Sequence, residues 1–126
     1  MDFEKFSEKM KNKAKHINVE LQKEQLNQFY LYMNLLLEWN KKVNLTAITE
    51  PDEVILKHFI DCLTIEKYVQ GGKKVIDVGT GAGFPGIPLS ILKRELDITL
   101  LDSLNKRITF KKYKCNTCKS WRIRKK

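Results

Sequence analysis

The segment VIDVGTGAGFPG, residues 75–86, sets four glycines within eight positions directly after a short apolar run. Glycine removes the Cβ that keeps a ligand away from the backbone, and a helix opening behind such a loop offers N–H groups and a positive dipole end. Two ligand chemistries fit. The window Gly81-Ala-Gly-Phe-Pro-Gly86 matches G-x-G-x-x-G and points to a dinucleotide, whereas Asp77-Val-Gly-Thr-Gly-Ala-Gly83 matches D-x-G-x-G-x-G and points to another adenosine cofactor. Asp102 follows Gly83 by 19 residues. At the end of a second strand, an acid at that distance accepts hydrogen bonds from ribose hydroxyls.

Asp77 separates the two chemistries. A carboxylate in the strand's last turn opposes a pyrophosphate, because like charges would share one small site. It favours a ligand that carries an ammonium and a sulfonium. S-adenosyl-L-methionine (SAM) has both cations and no phosphate, so the residues favour it over NAD. The candidate cofactor residues on this reading are Asp77, Gly79, Gly81, Gly83 and Asp102.

The elements that must hold this loop are readable from periodicity. Phe3, Phe6 and Met10 mark an amphipathic helix over 3–15. Asn18 is a candidate cap for a second helix over 23–41, with Leu26, Phe29, Tyr30, Met33, Leu36 and Leu37 as its apolar face. Residues 40–48 read as an irregular connection. Thr49 and Asp52, with Pro51 between them, give an N-terminal signature for a third helix running to about Tyr68. After Gly71-Gly72 the period shortens. Strands over 73–78 and 97–101, with a helix to Leu92 between them, form a βαβ unit whose strands must be parallel. Another helix is expected from Asn105. The fold class is α/β, with N-terminal helices (1–70), the start of a Rossmann-like SAM-binding domain (71–110), and a basic tail (111–126).

Bulk composition limits the alternatives. The chain has 126 residues and a net charge of +9. Eight of its 24 Lys and Arg fall in KKYKCNTCKSWRIRKK, residues 111–126, which holds no acid, leaving 16 basic against 15 acidic residues elsewhere. The basic character belongs to the tail. No apolar run is long enough for a bilayer, no leader precedes the first helix, and three cysteines give no disulfide pattern, so a cytoplasmic protein without membrane association is expected. Cys115 and Cys118 form a C-x-x-C half-site, but His16, His58 and Cys62 offer no paired spacing to complete it, and no metal is expected.

The sequence closely resembles the bacterial rRNA small-subunit methyltransferase G family, also called glucose-inhibited division protein B. The likeness rests on LLLEWNKKVNLTAIT (35–49), KHFIDCL (57–63), VIDVGTGAGFPGIPLSI (75–91) and LLDSLNKRITF (100–110), and runs from about Leu26 to Thr109. Cys62 stands where the family usually has Ser. The resemblance implies methyl transfer from SAM to N7 of one guanine in small-subunit (16S) ribosomal RNA. It adds Phe84 beside Gly79 as a cofactor contact, either an apolar pocket wall or a core plug behind the loop. It also explains the lack of a catalytic dyad, since guanine N7 presents an unprotonated lone pair and needs no general base. His58, with Asp61 at i+3, then reads as a structural hydrogen-bonding residue, and no catalytic side chain is assigned.

Near Phe110 the resemblance stops and the composition changes abruptly. This predicts an interrupted copy of the methyltransferase, with two strands and one open side of the sheet, that is poorly stable and binds SAM weakly or not at all. Two other classes stay open. One is a small basic RNA-binding protein gripping phosphates with the tail and bases with Tyr113 and Trp121. The other is a fragment of an NAD-linked oxidoreductase, disfavoured by Asp77.

Overall fold

The computed structural model describes residues 1–69 and 74–103, together with the backbone of residues 121–125. The expected helix from Asn105, the Cys115/Cys118 pair, Tyr113 and the Gly71-Gly72 boundary lie outside the described residues.

Helix α1 (Phe3–Lys15) starts where the Asp2 carboxylate accepts the Lys5 N–H at 2.8 Å. Phe6, Met10 and Ala14 fall at i, i+4 and i+8 and are its buried residues. Asn18 caps nothing. It takes a left-handed conformation (φ 59°) in the turn leaving α1, a role an asparagine tolerates well. Helix α2 (Lys23–Val43) instead begins beyond Gln22, whose N–H is accepted by Gln25 Oε1 at 2.7 Å.

The inner face of α2 is Leu26, Phe29, Tyr32, Met33, Leu36 and Asn40. Tyr32 is central, where periodicity pointed to Tyr30. The Tyr30 ring lies to the side, against Phe3 and Phe6 at centroid distances of 5.4 and 5.3 Å. Leu37 is likewise only partly buried.

The third helix, α3, spans 51–63. Its α-helical ends, Pro51–Glu53 and Asp61–Leu63, flank a π-helical stretch, Val54–Ile60. Glu50, one residue later than Thr49, is the cap position, and a 3-10 turn (Glu66–Tyr68) follows. Phe59, from the π stretch, sits among the rings of Phe6, Phe29 and Tyr32 at 6.5, 5.1 and 5.4 Å. Full burial of such a ring contributes about 1.5–3 kcal/mol, so this cluster anchors the helical layer.

Strand β1 (Lys74–Val78) pairs in parallel with β2 (Asp97–Asp102), and helix α4 (Gly86–Leu92) makes the crossover. Ile98 and Leu100 are fully buried, and the adjacent helical layer is tied on through Gln25 Nε2, which donates to the Leu92 carbonyl at 3.2 Å. Lys93 Nζ donates to the Val69 carbonyl at 2.6 Å and pairs with Glu66 at 3.2 Å, joining the end of α4 to the 3-10 turn. On the opposite face of β1, Ile76 and Val78 are exposed.

The sheet departs from the expected two strands. Backbone residues Trp121–Lys125 form β3, parallel to β2, giving the order β1-β2-β3. Trp121 and Ile123 stand in register with Ile98 and Leu100, while Arg122 and Arg124 stand in register with Thr99 and Leu101. W-R-I-R has the period-two alternation of a strand, a signal obscured by the tail's charge. No helix among the described residues is long and apolar enough to cross a membrane.

Candidate functional site

The glycine loop lies between β1 and α4, at the C-terminal end of the parallel strands. Its backbone is tied down before any ligand is considered. The Gly79 and Thr80 N–H groups both donate to the Leu101 carbonyl, at 2.9 and 3.0 Å, so the loop extends the β1–β2 pairing. The Gly83 and Phe84 N–H groups donate to the Thr80 carbonyl, each at 3.0 Å. Asp102 Oδ2 accepts the Gly81 N–H at 2.7 Å, and Asp77 Oδ2 accepts the Gly86 N–H at 2.9 Å and the Thr80 hydroxyl at 2.6 Å. A diphosphate cradle needs N–H groups to spare, and this loop directs them inward.

The glycines divide by what surrounds them. Gly79 (φ 68°) and Gly81 (φ 61°) have open space where a Cβ would stand. There the α-carbons form a surface that a ligand can approach closely. A Cβ on Gly83 would collide with the Ile87 side chain and lie 2.9 Å from the Tyr32 hydroxyl; one on Gly86 would collide with Leu100 and lie 3.0 Å from Asp77 Oδ2. Gly83, expected at the cofactor, therefore faces the packed interior.

Asp102, expected to accept from ribose hydroxyls at the end of β2, is 2% exposed, with Oδ2 on Gly81 and Oδ1 accepting the Ser103 N–H at 2.7 Å. A carboxylate has about four acceptor sites, so a ribose hydroxyl reaches it by sharing or displacing the Gly81 bond. Asp77 braces the start of α4 while remaining beside the open glycines.

Two residues that support the loop, Tyr32 and His58, were not singled out for that role from sequence. Tyr32, fully buried, donates its hydroxyl to the Ala82 carbonyl at 2.6 Å, and burial pushes that hydroxyl well above its ordinary pKa, so it stays a donor. His58 stacks on Phe84 with ring centroids 4.2 Å apart and planes 10° from parallel. Its Nε2 is hydrogen-bonded at 2.8 Å to Thr46 Oγ1, and Asn40 Oδ1 accepts the Thr46 N–H at 2.8 Å. Partial burial lowers the His58 pKa, opposed by the Asp61 carboxylate. The structural reading of His58 fits this arrangement, with Thr46 as the partner. Phe84 is partly buried against His58, Tyr32 and Phe59, which makes it chiefly a plug. A tyrosine inside an apolar helix face was the available signal for Tyr32. The Thr46–His58 contact joins segments too distant for spacing to reveal.

A profile of the family described as rRNA small subunit methyltransferase G matches residues 25–123. The chain belongs to this family. Two relatives named Ribosomal RNA small subunit methyltransferase G come from Clostridium botulinum. The strain 657 protein is 58% identical over 96 residues, covering 75% of this chain and 40% of the relative; the strain Eklund 17B protein is 55% identical over 108 residues, covering 84% and 45%. A protein of the same name from Desulfitobacterium hafniense is 56% identical over 94 residues, covering 75% and 39%. The chain thus matches about two-fifths of the length of these methyltransferase G relatives. The family match extends past Phe110 into β3, beyond the limit read from motifs.

Cys62 is a buried thiol, and burial together with the Asp61 and Asp77 carboxylates pushes its pKa up to about 12. It packs as a small apolar group and is a poor nucleophile. Among the described residues, no group of three or more His, Cys, Asp and Glu is placed to hold a metal ion.

Proposed function

We propose that this chain forms the methyl-donor side of a SAM-dependent methyltransferase that modifies guanine N7 in small-subunit ribosomal RNA. The observation carrying this reading is the division of the loop. The N–H groups of Gly79, Thr80, Gly81, Gly83, Phe84 and Gly86 are committed inward, while Gly79 and Gly81 present open backbone beside a carboxylate. That surface suits a phosphate-free, cationic adenosyl ligand better than a diphosphate. The family's methyltransferase name supports the same choice.

SAM, when bound, supplies an electrophilic methyl group. The residues that would hold it are Gly79 and Gly81 as the close-approach surface, Asp77 for its cationic end, and Asp102 for its ribose. Tyr32, His58 and Phe84 fix the loop from behind, so the bound geometry is set before substrate arrives. Guanine N7 needs no base, so rate comes from alignment, an effect with a ceiling of about 7–11 kcal/mol.

Titration calorimetry with SAM and NAD tests the assignment. Heat with SAM and none with NAD is expected, at low affinity for this chain alone because its relatives carry more than twice the matched length. Adding the remaining segment of a Clostridium botulinum relative in trans is expected to tighten SAM binding. Heat with NAD and none with SAM, with or without that segment, overturns the reading.

A further inference from the structure

Parallel sheets ordinarily bury both faces under helices. Here one face is covered, with Ile98 and Leu100 fully buried, and the other is bare, with Ile76 63% and Val78 59% exposed. Register carries the bare face across all three strands. Ile76 stands beside Thr99 and Thr99 beside Arg122; Val78 stands beside Leu101 and Leu101 beside Arg124. Residues in register share a face, so both arginines belong to the rows of Ile76 and Val78.

Charge is divided between the two faces. The rows of Ile76 and Val78 contain two arginines and no acid. Asp77 and Asp102 stand in register with Leu100 and Lys125, in rows of the opposite face, where their carboxylates accept loop N–H groups. Asp97 lies beside Lys74 at the N-terminal end of the strands, the end away from the glycine loop. Toward the loop, the bare face is therefore apolar over β1 and basic over β3. A second copy of this face would bring no carboxylate in these rows to meet the arginines. An RNA strand supplies both complements, phosphates for the arginines and ribose and base surface for Ile76 and Val78. Arg122 and Arg124 are about 7 Å apart along β3, a spacing suited to successive phosphates of an extended strand.

The bare face also leads to the donor. Val78 directly precedes Gly79, and the Gly79 and Thr80 N–H groups donate to the Leu101 carbonyl, so the row ending in Arg124 borders the open glycines.

We propose that this face is the approach track of the RNA substrate, with Arg122 and Arg124 holding backbone phosphates and Ile76 and Val78 meeting the nucleotides that lead to the methyl donor. This rests on the functional reading above, and adds the route by which the RNA reaches the loop.

The full 126-residue chain carrying Arg122→Gln and Arg124→Gln together tests the track. With a single-stranded RNA decamer as probe, affinity is expected to fall about tenfold, and the slope of log affinity against log salt to shrink by about 1.4, the loss of two phosphate contacts to a single strand. Lys11→Gln with Lys15→Gln, on exposed positions of α1, removes the same charge outside the sheet and should leave affinity within twofold of the parent. In the unmodified protein, the methyl NMR signals of Ile76 and Val78 should move on addition of RNA. The proposal is overturned if those signals stay in place, if the arginine variant binds RNA within twofold of the parent or loses RNA only together with its thermal transition, or if the α1 variant weakens binding equally. It also falls if the signals respond to the remaining segment of a Clostridium botulinum relative but not to RNA, which would make the face a seat for protein. NAD heat in place of SAM heat would refute the methyl-donor reading while leaving these RNA measurements to stand or fall separately.

Discussion

Gly79 and Gly81 share a loop with Gly83 and Gly86, yet the two pairs answer to different demands. The first pair borders open space, and the second borders Ile87, Tyr32, Leu100 and Asp77. A glycine-rich motif in a strand–helix turn is therefore two devices superposed, one leaving open the backbone proposed to meet the methyl donor and one letting α4 close on the sheet. The motif alone cannot tell them apart, because both demand the same residue.

The comparison predicts a sharp asymmetry in stability. Gly83→Ala combines a positive φ of 106° with a collision against the buried Ile87 side chain. Backbone strain and overpacking each cost ~1–3 kcal/mol, so a loss of about 3 kcal/mol or more is expected by urea denaturation. A loss below about 1 kcal/mol would mean that the loop is not clamped as described.

Tyr32→Phe tests the inner side without adding volume. It leaves the Ala82 carbonyl without the 2.6 Å hydroxyl bond in a buried setting, and a loss of about 1–3 kcal/mol is expected. Gly79→Ala tests the outer side. No described residue stands within 4 Å of the new methyl, so the left-handed backbone is what resists, at about 1–2 kcal/mol. Its larger effect should appear in calorimetry, as weakened SAM binding out of proportion to the lost stability. If Gly79→Ala and Gly83→Ala destabilise equally, the division of the glycines fails.

Much of this arrangement was legible in sequence, and what was hidden shares a cause. The bounds of α1, the two strands and the intervening helix follow from local periodicity and match the structure closely. The loop was recognisable from glycine spacing. Its inward hydrogen bonding was not, since the choice of Leu101, Thr80 and Asp102 as acceptors is made by tertiary packing. The same holds for Tyr32 over Tyr30, which flank the apolar face from opposite edges of the helix, about 200° apart, and are told apart only by what packs against each edge. The π-helical stretch carries Phe59 and His58 to opposite tasks, core and loop, through a backbone change that residue types do not announce. Strand β3 was masked because a run of basic residues resembles a solvated tail.

The smallest expected effect concerns His58, the link between the two motifs. Partial burial lowers its pKa below the ordinary value of 6.5, with Asp61 opposing, so the folded protein favours the neutral ring more than the unfolded chain does. As pH falls, the unfolded chain takes up the proton first. The stability contributed by neutral His58 is therefore complete above about pH 6.5 and declines as pH drops below that value toward the lowered folded one. Thermal melts from pH 7.5 to 5.5 should show a decrease attributable to this ring of about 2 °C or less, since the ring is only partly buried. His58→Gln, which can still bond Thr46 but does not titrate, should remove that part of the slope. If the slope persists unchanged, titration of the ring stacked on Phe84 is not the source of that pH dependence.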